Sequence, residues 1–158
     1  MPVDIFAKLG SIAGESSDSK HKDEIEVLSF SWGVSNTAQF GPGTGVGAGK
    51  ATFRDLSIVH KIDKATPLLL KACATGQHLP QATITQRKAG GAQQEYLTIK
   101  LNDVVITNVA LDSTLSEGME SVSMTFAKVN FEYKAFKANG TLGSGITFKY
   151  DLQTQKEG

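Results

Sequence analysis

The chain has a single cysteine, Cys73, so no disulfide can form within it, and a reducing compartment is its expected place of folding. It has no surplus of either charge, because sixteen Lys and Arg balance sixteen Asp and Glu. That balance argues against a nucleic-acid or anionic-membrane binder and removes one barrier to self-association. No stretch approaches the ~20 apolar residues that a membrane-spanning helix needs. Met1 to Gly10 lack the basic head and unbroken apolar run of a secretory signal, so a cleaved signal is not expected. His21, His60 and His78 form no pair at a spacing of three or four, and one cysteine cannot complete a zinc signature. No metal and no cofactor is expected.

Catalytic patterns are equally scarce. The segment Gly41-Pro42-Gly43-Thr44-Gly45-Val46-Gly47-Ala48-Gly49-Lys50 invites comparison with a phosphate loop. The comparison fails at Thr44, where the Walker pattern requires glycine, and at Ala51, where a magnesium-binding hydroxyl should follow Lys50. Gly43-x-Gly45-x-x-Ala48 fits a relaxed dinucleotide pattern, but a strand-like segment follows it instead of a helix N-terminus. Asp55, Asp63 and Asp103 show no spacing that puts two carboxylates on one face. Glu15 and Asp18 are too few oxygen ligands for a calcium loop. Trp32 and Cys73 are expected in the core, where a thiol is inert. No catalytic residue is assigned, and the protein is expected not to be an enzyme.

What the chain does have is strand periodicity. Ile5 to Leu9 reads as a first strand, and His21 to Gly33 as a second whose apolar phase slips between Val27 and Leu28, the mark of a bulge. Phe53, Leu56, Ile58 and Ile62 mark another strand. Thr83 to Lys88 and Glu95 to Leu101 flank a hairpin turn at Ala89-Gly90-Gly91-Ala92, and Val104 to Val109 follows Asn102-Asp103. Val122, Met124 and Phe126 precede Val129, Phe131 and Tyr133 with another slip, and Ile146, Phe148 and Tyr150 close the chain. One helix is expected from about Pro67 to Thr75, with Thr66 as N-cap, Leu69, Leu70 and Cys73 as its apolar stripe, and Gly76 ending it. Many strands with one helix argue against a parallel α/β fold. The expected fold is mainly β: a compact antiparallel β-barrel with one flanking helix and an extended Gly-rich loop, a single domain over residues 1–158.

Six segments together resemble one known family. They are Gly14-Glu15-Ser16, Glu24-Ile25-Glu26-Val27-Leu28-Ser29-Phe30-Ser31-Trp32-Gly33, Ile62-Asp63-Lys64-Ala65-Thr66-Pro67, Arg87-Lys88-Ala89-Gly90-Gly91, Glu95-Tyr96-Leu97, and Glu120 to Val129. In this order, over nearly the whole chain, they resemble the Hcp (haemolysin-coregulated protein) family; where Phe30 stands, that family often has Trp. The resemblance implies a β-barrel with a flanking helix that serves as the tube subunit of a bacterial type VI secretion system. It implies homohexameric rings stacked head to tail inside a contractile sheath, with a baseplate, a VgrG-type spike and small effector proteins in the lumen as partners. It also implies synthesis in the cytoplasm and export without a signal peptide.

The family's loop after the Trp-Gly strand contacts the adjacent ring. Here it maps to about Val34 to Lys50, with Gly41, Pro42, Gly43, Thr44, Gly45, Val46, Gly47, Gly49 and Lys50 as inter-ring residues. With Phe30 and Trp32 pointing to the core, Ser29 and Ser31 are expected to face the lumen and meet effectors. Two other readings compete: a monomeric barrel binding a small ligand or carbohydrate, with Trp32 and the glycine loop at its mouth, and a hydrolase drawing Asp and His from separate strands.

Overall fold

The computed structural model describes residues 2–38, 40–41, 45–46 and 49–158. Ahead of the helix lie β1 (Val3–Leu9), β2 (Ile25–Val27), β3 (Ser29–Ser31), β4 (Val34–Asn36), β5 (Phe40–Gly41), β6 (Gly45–Val46), β7 (Ala51–Phe53) and β8 (Leu56–Lys61). The helix α1 (Thr66–Thr75) is followed by β9 (His78–Lys88), β10 (Glu95–Ser113), β11 (Gly118–Phe136), β12 (Leu142–Asp151) and β13 (Lys156–Glu157). All strand pairings among them are antiparallel, and the class is mainly β.

The main sheet runs β13-β12-β11-β10-β9-β1-β2, and β8 links β11 to β3. Along one edge β11 pairs with β8 over Met119–Met124 and with β12 over Lys128–Phe136. A strand shared in this way makes the sheet curl. The circuit is joined by chain continuity at Leu28, whose N–H donates to the Val59 carbonyl at 2.8 Å, and among the described residues no unbroken ladder closes the barrel. This explains the slip between Val27 and Leu28. The expected single strand is two: the chain leaves β1 after Val27 and takes β8 as its partner from Ser29.

The long strands change buried face together. In β10, Ile99 and Leu101 are buried, Asn102 and Asp103 are exposed, and Val104 and Ile106 are buried again. In β9, Leu79 and Ala82 are buried on either side of exposed Pro80 and Gln81; in β11, Phe126 and Val129 are buried on either side of Ala127 and Lys128. These changes are aligned, because Leu79, Val104 and Phe126 are cross-strand partners, as are Ala82, Leu101 and Val129. The sheet is creased along this line, and its pleat restarts in opposite phase with no loss of register. Asp103, at φ 59°, supplies the backbone reversal in β10. The break expected at Asn102-Asp103 and the slip expected after Phe126 are therefore one feature, and β10 runs unbroken from Glu95 to Ser113.

The helix differs from expectation at its start. Ala65 is the N-cap, in a right-handed conformation and without a side-chain cap, and Thr66 is already helical. Asp63, two residues before the N-cap, does the work: Ala65 N–H donates to Asp63 Oδ1 at 2.8 Å, and Asp63 N–H donates to Thr66 Oγ1 at 3.1 Å. Gly76 ends the helix at φ 66°, where its N–H reaches the Ala72 and Cys73 carbonyls, as expected of a left-handed C-cap. The buried stripe is Thr66, Leu69 and Ala72; Leu70 is exposed and Cys73 only half-buried against the core, because the helix turns its Leu69–Ala72 face to the sheet.

Side chains fill the interior. Leu9, Ile25, Leu56, Ile58, Leu69, Ile99, Leu101 and Met124 are fully buried in one cluster. One polar pair lies among them: His60 Nε2 and Glu120 Oε1 meet at 2.7 Å with both side chains fully buried. Replacing Asp103 by Val forces a β-branched residue into a left-handed conformation, and this is expected to lower unfolding free energy by about 1–2 kcal/mol. Asp103→Gly, which accepts that conformation, is expected to stay within about 0.5 kcal/mol of the wild type in urea titrations.

Candidate functional site: a hydroxyl-lined face and a projecting arm

Ser29 and Ser31 flank Phe30 on β3, so period two sends Phe30 towards the core and both serines outward. The register extends this face. Ser31 pairs with Ser57, which pairs with Ser123, which pairs with Asn108; Ser29 pairs with Val59, which pairs with Ser121. Ser57 and Ser123 share a hydrogen bond at 2.8 Å between their hydroxyls. Four strands thus present small and polar groups on one surface. Sequence reasoning found Ser29 and Ser31 but missed Ser57, Ser121 and Ser123. The alternation Ser121-Val122-Ser123-Met124 carried a signal, but only strand pairing shows which serines share a face.

The described residues between Val34 and Phe53 form an arm of two short ladders. β4 pairs with β7 through Val34–Phe53, Ser35–Thr52 and Asn36–Ala51, and β5 pairs with β6 through Phe40–Val46 and Gly41–Gly45. The loop is thus partly a β-hairpin. Lys50 N–H donates to Thr37 Oγ1 at 3.0 Å, and Gly49 precedes it on the returning limb. Pro42, Gly43, Thr44 and Gly47 lie outside the described residues. Phe40 is 85% exposed and Val34 53% exposed.

Aromatic rings hold the root of the arm. Trp32 stacks on Phe53 at 6.0 Å and on Phe131 at 6.3 Å, and Phe53 packs against Tyr150 at 4.7 Å. Each limb therefore enters the body through one aromatic residue, fastened to β11 and β12. Trp32 is half-buried here, and its Nε1 is buried without a hydrogen-bond partner among the described residues.

A third feature braces the connection between β1 and β2. Gly14 packs so closely on the Glu24 backbone that an added Cβ would lie 2.5 Å from its carbonyl oxygen. Arg87, nearly fully buried, donates from Nη2 to Asp18 Oδ1 at 2.5 Å, from Nη1 to Oδ2 at 3.0 Å and from Nε to Asp4 Oδ2 at 3.2 Å. His21 stacks on Phe6 at 4.5 Å, with Nε2 at 2.6 Å from Glu95 Oε1 and Nδ1 at 3.0 Å from Glu24 Oε2. The other acidic candidates are engaged separately: Asp55 accepts from Thr107 Oγ1 at 2.6 Å, Asp63 serves the helix start, and Asp103 lies 3.6 Å from His78 Nδ1. The fold gives these three carboxylates different partners.

These features define a mainly-β protein: a curled antiparallel scaffold with a packed interior, an outward hydroxyl face and a hairpin beyond it. The comparisons with known proteins show its family. The family model described as type VI secretion system effector, Hcp, matches residues 6–133, and the chain belongs to that family. It is 45% identical over 148 residues to protein hcp1 of Pseudomonas aeruginosa, covering 92% of this chain and 91% of that protein. Among solved structures it is similar to Hcp1 from Salmonella typhimurium, with a TM-score of 0.83 and 37% identity over 99% of both chains. A type six secretion system protein superposes with a TM-score of 0.92 at 28% identity, over 99% of this chain and 100% of that one.

The hydrogen bonds from Arg87 hold the Asp18 carboxyl at about 2, below its usual 3.8. A carboxyl depressed in the folded state stabilises above its unfolded value, and that contribution is lost as pH falls towards the folded one. The stability difference between wild type and Asp18→Asn is therefore expected to be constant above about pH 4 and to vanish between about pH 4 and 2. Denaturant titrations at pH 7, 4 and 2 measure it.

Proposed function

We propose that the chain is a structural subunit of a type VI secretion inner tube. It assembles into hexameric rings that stack head to tail and carry small effector proteins in the lumen, and it is itself exported without a signal peptide. Its role is structural and not catalytic. A contractile sheath surrounds the tube in this reading, with a baseplate and a VgrG-type spike as further partners. Membership of the Hcp family carries the proposal. The hydroxyl face supports it, since the row Ser31-Ser57-Ser123 is wettable and non-committal towards varied cargo. The arm supports it too, as a protruding heterologous contact of the kind a stack requires. A ligand-binding barrel, by contrast, needs an empty apolar interior, and side chains such as Leu56, Ile58, Leu101 and Met124 occupy this one.

Native mass spectrometry with electron-microscopy class averages tests the assembly: a six-fold annulus is expected, and a persistent monomer at high concentration overturns it. A bulky residue in place of Ser31 is expected to abolish cargo retention while sparing the ring; loss of the ring in that variant would remove Ser31 from the lumen. Shortening the arm between Gly41 and Gly49 is expected to leave single rings intact but abolish tubes and export, and normal export by that variant counts against an inter-ring role.

A further inference from the structure

A groove of about 380 Å³ lies at the end of β8, lined by Glu15, Glu26, Leu28, Lys61, Ile62 and Asp63. Its floor is apolar and open: Leu28 is 51% exposed and Ile62 42% exposed. Its rim is acidic. Lys61, the rim's cation, is already paired with Glu117 at 2.7 Å. Glu15 and Asp63 accept backbone N–H groups from Lys64 and Ala65, whereas Glu26 makes no hydrogen bond or ion pair among the described residues. The groove thus suits an occupant that brings an apolar side chain and positive charge.

The arm has that composition. Between Val34 and Phe53 its one formal charge is Lys50, and Phe40 offers a large, unburied ring. Arm and groove also sit at opposite ends of one strand. The arm returns to the body at Arg54, just before β8 begins at Leu56, and Ile62 follows its last residue, Lys61. The six residues of β8 span about 20 Å, so a patch at one end faces a different patch at the other. Two unlike, complementary patches at opposite ends are what a head-to-tail contact between copies needs.

We propose that the Leu28–Ile62 groove receives the arm of a second copy of this chain, with Phe40 over the apolar floor and Lys50 towards Glu26. The inference rests on the stacking reading above and names the surface on which the arm lands.

Paired single-cysteine chains test it, with Cys73 replaced by Ala in each. Phe40→Cys and Leu28→Cys chains, mixed and mildly oxidised, are expected to give at least about tenfold more linked heterodimer than Phe40→Cys with Thr147→Cys, because docking raises the effective concentration of the thiols. Both target sites are exposed, so folding is not at stake. Glu26→Lys in the groove chain is expected to lower the yield roughly threefold, and Lys50→Glu in the arm chain to restore it. Equal yields for Leu28→Cys and Thr147→Cys, while native mass spectrometry shows intact rings, overturn the groove and leave the tube standing. Equal yields from a chain that stays monomeric overturn both.

Discussion

The fold depends on the aligned change of phase that crosses β9, β10 and β11. A strand buries alternate residues, so it can serve one core only while its phase is kept. Here Pro80-Gln81, Asn102-Asp103 and Ala127-Lys128 each place two consecutive residues outward, and they do so opposite one another. The hydrogen-bond ladder survives while the buried face is reset. The slip in β11 falls between its two partners: before it the strand pairs with β8, and after it with β12. A sheet without the crease would continue flat, and Leu79, Val104 and Phe126 would not share a core with Ala82, Leu101 and Val129.

The surfaces follow from that geometry. On the β8 side of the crease, Val122 and Met124 point inward, which leaves Ser121 and Ser123 to join Ser29, Ser31 and Ser57 outside. On the β12 side, Phe131, Phe148 and Tyr150 gather around Trp32 and Phe53 and hold both limbs of the arm. The plain hydroxyl face and the anchored arm are two products of one creased strand.

Charge shows a similar division of labour. The net charge is zero, yet Arg87 is sealed against Asp4 and Asp18, and His60 against Glu120, inside the body. These pairs fix local structure. Carboxylates that remain near the surface, such as Glu26 beside Leu28 and Ile62, give the end of β8 an acidic character that the formal total conceals. The formal total is neutral; the distribution sets which part of the surface is acidic.

Much of this was legible in the residues. The strands, the turn at Gly90-Gly91, the left-handed Gly76 and the outward Ser29 and Ser31 follow from period two and from local backbone preferences. The helix start was misplaced by one residue because Asp63 and Thr66 satisfy the backbone jointly, an arrangement that simple N-cap preference does not distinguish. The single strand expected over His21 to Gly33 failed for a different reason: at Leu28 the chain exchanges β1 for β8, and a partner distant in sequence leaves only a phase slip behind. The sequence by itself determined which residues alternate, where the chain turns and which family it resembles, because these depend on neighbours along the chain. The tertiary structure decided that Ser57, Ser121 and Ser123 complete the hydroxyl face, that three phase changes form one crease, and that Leu28 and Ile62 share a groove. Those juxtapositions depend on register between strands tens of residues apart, and register is set by packing of the whole core.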